Sequence, residues 1–222
     1  MFSGLAIVTW GGALLVFVGP STAVGQAPGL PVLQNAFVGP GIAIAADFGG
    51  GSGNTFFGAA GAWGLGSGRL QLSGAAGAER SRNATRGSYG GRATAGIWTS
   101  GSGGLAIAGF AGYGGAPRTH EADIVTNPAV SSIPVGVSVA LRHALGSTRG
   151  ISAYAAPFYR WSRIDSGTVV STGSLAVSLG LDLAVSQSFG ATIGAEFAGK
   201  GSGGSSSAAS FGAALTFVPG RR

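Results

Sequence analysis

The stretch Leu175-Ala-Val-Ser-Leu-Gly-Leu-Asp-Leu-Ala-Val185 decides the fold. Leu175, Val177, Leu179, Leu181, Leu183 and Val185 alternate with Ala176, Ser178, Gly180, Asp182 and Ala184. Successive side chains of a strand point to opposite faces, so strict alternation means an extended segment with one apolar face. Ile133-Pro-Val-Gly-Val-Ser-Val-Ala-Leu-Arg142 repeats the pattern, as does Phe211-Gly-Ala-Ala-Leu-Thr-Phe217. No segment beyond residue 30 sustains a helical period.

Working outward, the same period marks ten strands, near 41–48, 55–65, 69–79, 88–99, 104–113, 132–142, 151–161, 172–186, 189–198 and 208–217. Most are about ten residues long. At ~3.3 Å per residue and a tilt of ~40° this covers ~25 Å, the height of a membrane barrel's apolar band. The connections alternate in length. Gly66–Gly68, Ser100–Gly103, the turn at Gly146-Ser147-Thr148 and Gln187-Ser188 are short. Gly49–Asn54, Arg80–Gly87, Gly114–Ser131, Ser162–Ser171 and Gly199–Ser207 are generally longer and more polar. Short periplasmic turns alternating with longer outer loops, around an even number of strands, are the layout of outer-membrane barrels. The expected fold is an all-β, closed, antiparallel, up-and-down transmembrane β-barrel of about ten strands, with eight to twelve compatible.

The charges carry a second signal. Charged residues are only 9% of the chain, while 45% are hydrophobic and 44 of 222 residues are Gly. Soluble domains carry roughly 25% charge and about 7% Gly. Within the strands Asp47, Glu79, Arg92, Arg142, Arg160, Asp182 and Glu196 all fall opposite the apolar face. An Arg or Lys on the lipid face at mid-bilayer costs roughly 2–4 kcal/mol, which is a physical cause for that bias. Buried charges must be paired, so a lumen network of Arg and carboxylates is expected, with Glu79 and Arg92 as neighbours across a hairpin.

Aromatic residues of outward parity gather at the two strand ends. Phe48, Phe57, Tyr89, Tyr113, Tyr159, Trp161 and Phe197 lie towards the outer end; Trp63, Phe189 and Phe217 lie towards the periplasmic end. Two girdles of this kind sit where rings meet lipid headgroups. Phe56, Trp98, Phe110, Tyr154 and Phe158 have inward parity and are expected to fill the lumen.

Four parts follow along the chain: a signal peptide over 1–25, a periplasmic lead-in over 26–40, the barrel over 41–217 and a tail over 218–222. The apolar run Leu5–Val18 would make a helix of ~21 Å, short for a ~30 Å hydrocarbon core and in proportion for a signal peptide. Met1–Gly4 carries no basic residue, an atypical feature. Cleavage is expected after Gly25, with Ala23 at the −3 position.

Ile133–Val139 followed by Ile151–Arg160, with the closing Ser210–Phe217, resembles the hairpins and last strand of small bacterial outer-membrane barrels of the OmpA-like/porin-like superfamily. The resemblance covers about residues 36–217 and carries no invariant motif. It departs where Val218-Pro219-Gly220-Arg221-Arg222 follows Phe217, since the insertion machinery commonly reads a terminal aromatic. It implies a monomer with outer-membrane lipid, lipopolysaccharide and the barrel-insertion machinery as partners. Arg80, Arg82 and Arg86, expected in the second outer loop, could clamp lipopolysaccharide phosphates bidentately. Outer-membrane barrel enzymes, namely the proteases and the lipid A deacylases and acyltransferases, hold His with Asp or His with Ser at the outer rim. Here only His120, in the longest outer loop with Glu121 and Asp123, is placed there; His143 falls at the other end.

No catalytic residue, metal site, cofactor or nucleic-acid partner is expected. Gly194-Ala-Glu-Phe-Ala-Gly-Lys200 has phosphate-loop spacing but is followed by Gly201 rather than Ser or Thr, and by no helix. The chain contains no Cys. Its net charge of +6, all but one basic residue being Arg, is spread over the strands and loops and not gathered on one face as nucleic-acid binding requires. The leading reading is a non-enzymatic barrel, structural or surface-interacting, with a mostly occluded polar lumen. Alternatives are a narrow porin-like channel for small solutes and a soluble secreted β-sandwich binding domain.

Overall fold

The computed structural model describes residues 35–51, 54–65, 69–81, 84–121, 124–147, 149–201 and 208–219. The signal-peptide expectation over 1–25 lies outside them, as do Arg82 and Asp123.

Alternation becomes geometry in twelve strands: β1 (Gly41–Gly51), β2 (Asn54–Leu65), β3 (Leu70–Arg80), β4 (Thr85–Thr99), β5 (Leu105–Ala116), β6 (Thr119–Glu121), β7 (Ile124–Asn127), β8 (Ala129–Ala144), β9 (Gly150–Asp165), β10 (Val169–Ala184), β11 (Phe189–Ala198) and β12 (Ala208–Phe217). Ten of them close a barrel in chain order, and β6 and β7 form a separate two-stranded hairpin between β5 and β8. Every neighbouring pair is antiparallel. The seam joins β1 to β12 from Ile44 opposite Phe217 to Gly51 opposite Ser210. Closure removes the unpaired edges that an open sheet would present. The chain is a closed, ten-stranded, up-and-down β-barrel.

The connections before β3, β5, β9 and β11 define a turn end, where β1 begins and β12 finishes. The opposite, loop end differs from the expected one. β8, β9 and β10 each have 16 residues. They rise about 40 Å along the barrel axis, past the ~25 Å of an apolar band. The loop expected over Ser162–Ser171 is therefore a tight turn, because Asp165 already pairs with Val169. The segment expected as a long outer loop over Gly114–Ser131 likewise contains strand ends and the β6–β7 hairpin.

The two faces separate as the period requires. Ile44, Phe57, Leu72, Val137, Leu179, Ile193 and Leu215 are exposed on the outside, while Phe56, Phe110, Tyr154 and Phe158 are buried inside. Trp98 departs from its expected inward place and is 49% exposed. The register shifts between Gly96 and Trp98, which face Ala108 and Ile107 respectively. That bulge inserts Ile97, so parity flips and Trp98 joins the outward face beside it.

Inside, Gly180 is required by close approach. A Cβ there would lie 2.4 Å from the Tyr154 hydroxyl and ring, so glycine lets the phenol lie flat across β10. Phe110 and Phe158 meet edge to face at 6.0 Å. Together with Ala106, Ala108, Ala140 and Ala156 they form the apolar part of the core.

Candidate functional site

The inward polar residues form three levels in the lumen. At the loop end Glu79, next to last in β3, and Arg86, second in β4, stand directly opposite in register. Arg86 Nη2 lies 3.0 Å from Glu79 Oε2, and Arg86 Nε donates to the same oxygen. Asn54 Nδ2 donates to Glu79 Oε1 at 2.7 Å, and Arg86 Nη1 donates to the Pro128 carbonyl at 2.5 Å. The group thus ties β2, β3 and β4 to the chain entering β8.

Two expectations change here. Glu79 pairs with Arg86 instead of Arg92, since Arg92 stands opposite Ser73, further down the barrel. Arg86 is buried in the lumen, because β4 starts at Thr85 and gives it inward parity, so it is not available to lipid phosphates. Arg80 is exposed at the end of β3. A double-mutant cycle separates the two partners. Glu79→Gln with Arg86→Met is expected to show a coupling of about 1–3 kcal/mol, whereas Glu79→Gln with Arg92→Met is expected to be additive within about 0.5 kcal/mol. Equilibrium unfolding in lipid or detergent reads both.

At mid-height Arg160 on β9 reaches over β10 to Glu196 on β11, Nη1 to Oε1 at 2.5 Å. Register shows why this is possible. Between them β10 contributes only the small Ser174, Ala176 and Ser178 to the lumen, opposite Arg160, Phe158 and Glu196 respectively. Arg92 lies over the Phe110 ring at 5.4 Å, and Arg160 over Phe158 at 6.0 Å. Asp47, only 3% exposed, finds no hydrogen-bond partner for either carboxylate oxygen among the described residues.

Towards the turn end Asp182 accepts from Thr192 Oγ1 at 2.5 Å and from Ser152 Oγ at 3.2 Å. It also accepts from Asn35 Nδ2, which precedes β1. Arg142 lies nearby at the mouth, its guanidinium 3.8 Å above the Phe37 ring. The lumen therefore brings together Glu79 with Arg86 and Arg160 with Glu196, holds Asp47 and Arg92 buried in the same interior, and keeps Asp182 and Arg142 at the other end.

Outward, Phe48 and Phe57 face each other across β1 and β2 near the loop end. Tyr89 and Tyr113 are 6.5 Å apart on β4 and β5, and Tyr159, Trp161 and Phe197 are exposed at the same end. Trp63 and Phe189 are exposed at the turn end, where Phe189 packs on the half-buried Phe217 at 5.0 Å. Trp98 and Phe211 are exposed on this outer surface as well. His143 is exposed opposite Ile151 at the turn end. Among the described residues no group of three or more His, Cys, Asp or Glu could hold a metal ion.

No protein-family profile matches the chain. No curated protein matches it either. Among solved structures, the N-terminal β-barrel domain of Pseudomonas aeruginosa OprF is similar at 12% identity, over 81% of this chain and 99% of that one, with a TM-score of 0.36. Ail, the attachment invasion locus protein of Yersinia pestis, in complex with the heparin analogue sucrose octasulfate, is similar at 14% identity. That likeness covers 79% of this chain and 95% of the other, with a TM-score of 0.25. Likenesses at this level add nothing to the barrel's own geometry.

Proposed function

We propose that this chain is a non-enzymatic β-barrel of the bacterial outer membrane, structural or surface-interacting, whose polar lumen is mostly occluded. The observation that carries the reading is the inversion of the two faces. Leu175, Leu179, Leu181, Leu183, Ile193, Phe211 and Leu215 are all 44% or more exposed, while Asp47, Glu79, Arg86, Arg92, Arg160 and Glu196 are all 7% or less exposed. Water would reward the opposite arrangement. In lipid the apolar surface needs no cover, and the charges gain from pairing inside. A soluble β-sandwich would have to keep this belt of Leu, Ile, Val and Phe in water.

Occlusion is supported by Phe110 and Phe158, which meet edge to face, and by Tyr154 and the Arg160–Glu196 pair buried in the same lumen. Export through residues 1–25, a monomeric state and assembly by the barrel-insertion machinery belong to the same proposal. So does contact of Arg80 and Arg82 with lipopolysaccharide phosphates.

Expression of the full chain followed by membrane fractionation tests it. An outer-membrane band whose gel mobility changes on boiling is expected. A soluble band indifferent to boiling would refute the membrane reading. With the barrel in planar bilayers, occlusion predicts no sustained conductance, and steady single-channel steps would favour the narrow-channel alternative.

A further inference from the structure

Asn35–Val38, two residues ahead of β1, do not lie outside the barrel. Ala36 is 2% exposed and belongs to the same buried cluster as Ala106, Ala140 and Tyr154, with Phe37 and Val38 packed against it. Asn35 Nδ2 donates to Ser152 Oγ at 2.7 Å and to the Asp182 carboxylate, and Phe37 lies under Arg142. The chain leaves the lumen past Gly64, where a Cβ would meet the Gly39 carbonyl oxygen at 1.7 Å.

We propose that Asn35–Val38 is a removable stopper that closes the turn-end half of the lumen. This rests on the barrel reading above. The attachment is of a different kind from the wall. Residues 35–38 belong to no strand, and their backbone bonds are internal: Phe37 N–H to Asn35 Oδ1 and Val38 N–H to the Ala36 carbonyl. Withdrawal breaks a few side-chain contacts and no rung of the barrel ladder. The wall it leaves behind is narrow-stemmed, with Ala43, Ala45, Ala60, Ala62, Ala140 and Ala214 on inward parity. Asp182 keeps Ser152 and Thr192 when Asn35 departs, so the open state does not strand a bare carboxylate. Segments held by few contacts open locally while the rest of a structure stays folded. The turn-end half then becomes a water-filled recess beneath the packed Phe110 and Phe158.

The absence of Cys allows a direct test by thiol labelling. Single cysteines are placed at Ala140→Cys, on the recess wall, and at Ala156→Cys, among the mid-height core, in the full chain reconstituted in lipid. Each is compared with and without Asn35→Ala/Phe37→Ala. A water-soluble maleimide is expected to label Ala140→Cys about tenfold faster once the segment is released, a hydrogen bond to a charged group being worth at least that factor in an opening equilibrium. Ala156→Cys stays slow in both. Equal rates at Ala140→Cys, whether both fast or both slow, would overturn the stopper. Heat-modifiable mobility is recorded throughout: a normal shift with equal labelling rejects the stopper alone, and loss of the shift in the parent rejects the barrel with it. If the double variant itself fails to fold, Asn35→Asp sets a like charge against Asp182 and gives the same comparison.

Discussion

Replacing Arg160 by Ala is expected to cost about 3–5 kcal/mol of barrel stability, because it leaves Glu196 in the lumen without its guanidinium. Both side chains are less than a tenth exposed, so water cannot take over the lost contact. Replacing the pair together, as Arg160→Met with Glu196→Leu, should recover most of that loss. An apolar pair of similar volume is often as stable as a buried ion pair, and Phe158, Ala176 and Ala198 already surround the site with apolar surface. Urea unfolding in lipid vesicles, followed by tryptophan fluorescence, measures the parent, the Arg160→Ala variant and the double variant. A single Arg160→Ala variant within about 1 kcal/mol of the parent would mean that the pair is solvated and the lumen open at mid-height.

The second large effect lies on the other face of the wall. Leu179 sits in the middle of β10, opposite Ala155 on β9 and Ala195 on β11, and points outward. Leu179→Arg is expected to cost about 2–4 kcal/mol when the barrel is in a bilayer, the penalty for a charge at the midplane. Thr85→Arg, at the loop end of β4, should cost far less, since it falls near the interface. The comparison decides between lipid and water as the medium of the outer surface. In water, an Arg replacing an exposed Leu would change stability by no more than about 0.5 kcal/mol.

What the sequence disclosed was parity, and parity sufficed for most of the wall. Leu175 to Leu183 and Ile133 to Leu141 alternate without interruption, so their faces, and the inward charges among them, follow from counting by two. It fails where one residue too many enters a strand. Ile97 cannot be known as a bulge from Gly96-Ile97-Trp98, and so Trp98 is assigned to the wrong side. It is also silent about partners that are not neighbours in the sheet. Arg160 and Glu196 meet across an intervening strand whose Ala176 and Ser178 are too small to separate them, a fact of three dimensions. The pairing of Glu79 with Arg86 is hidden for a different reason. The polar run Arg80–Gly87 looks like loop, yet β4 begins inside it and carries Arg86 into the lumen. Asn35–Val38 gives no signal at all, for a four-residue segment has no period to detect.

The seam between β1 and β12 bears on how the molecule is made. Eight of the ten barrel contacts join strands linked by a short turn or loop, and β5 meets β8 after one small hairpin. Among these strand pairs only the seam unites distant parts of the chain, Ile44 with Phe217. The entropic cost of bringing remote segments together is thus concentrated in one step. Hairpins can zip in sequence, but until Ser210–Phe217 meets Ile44–Gly51 two strands present bare amides and carbonyls to hydrocarbon. Assembly should accordingly be all-or-none with respect to its final strand. A chain lacking β12 would be left as a curled, unclosed ribbon and not as a slightly smaller barrel.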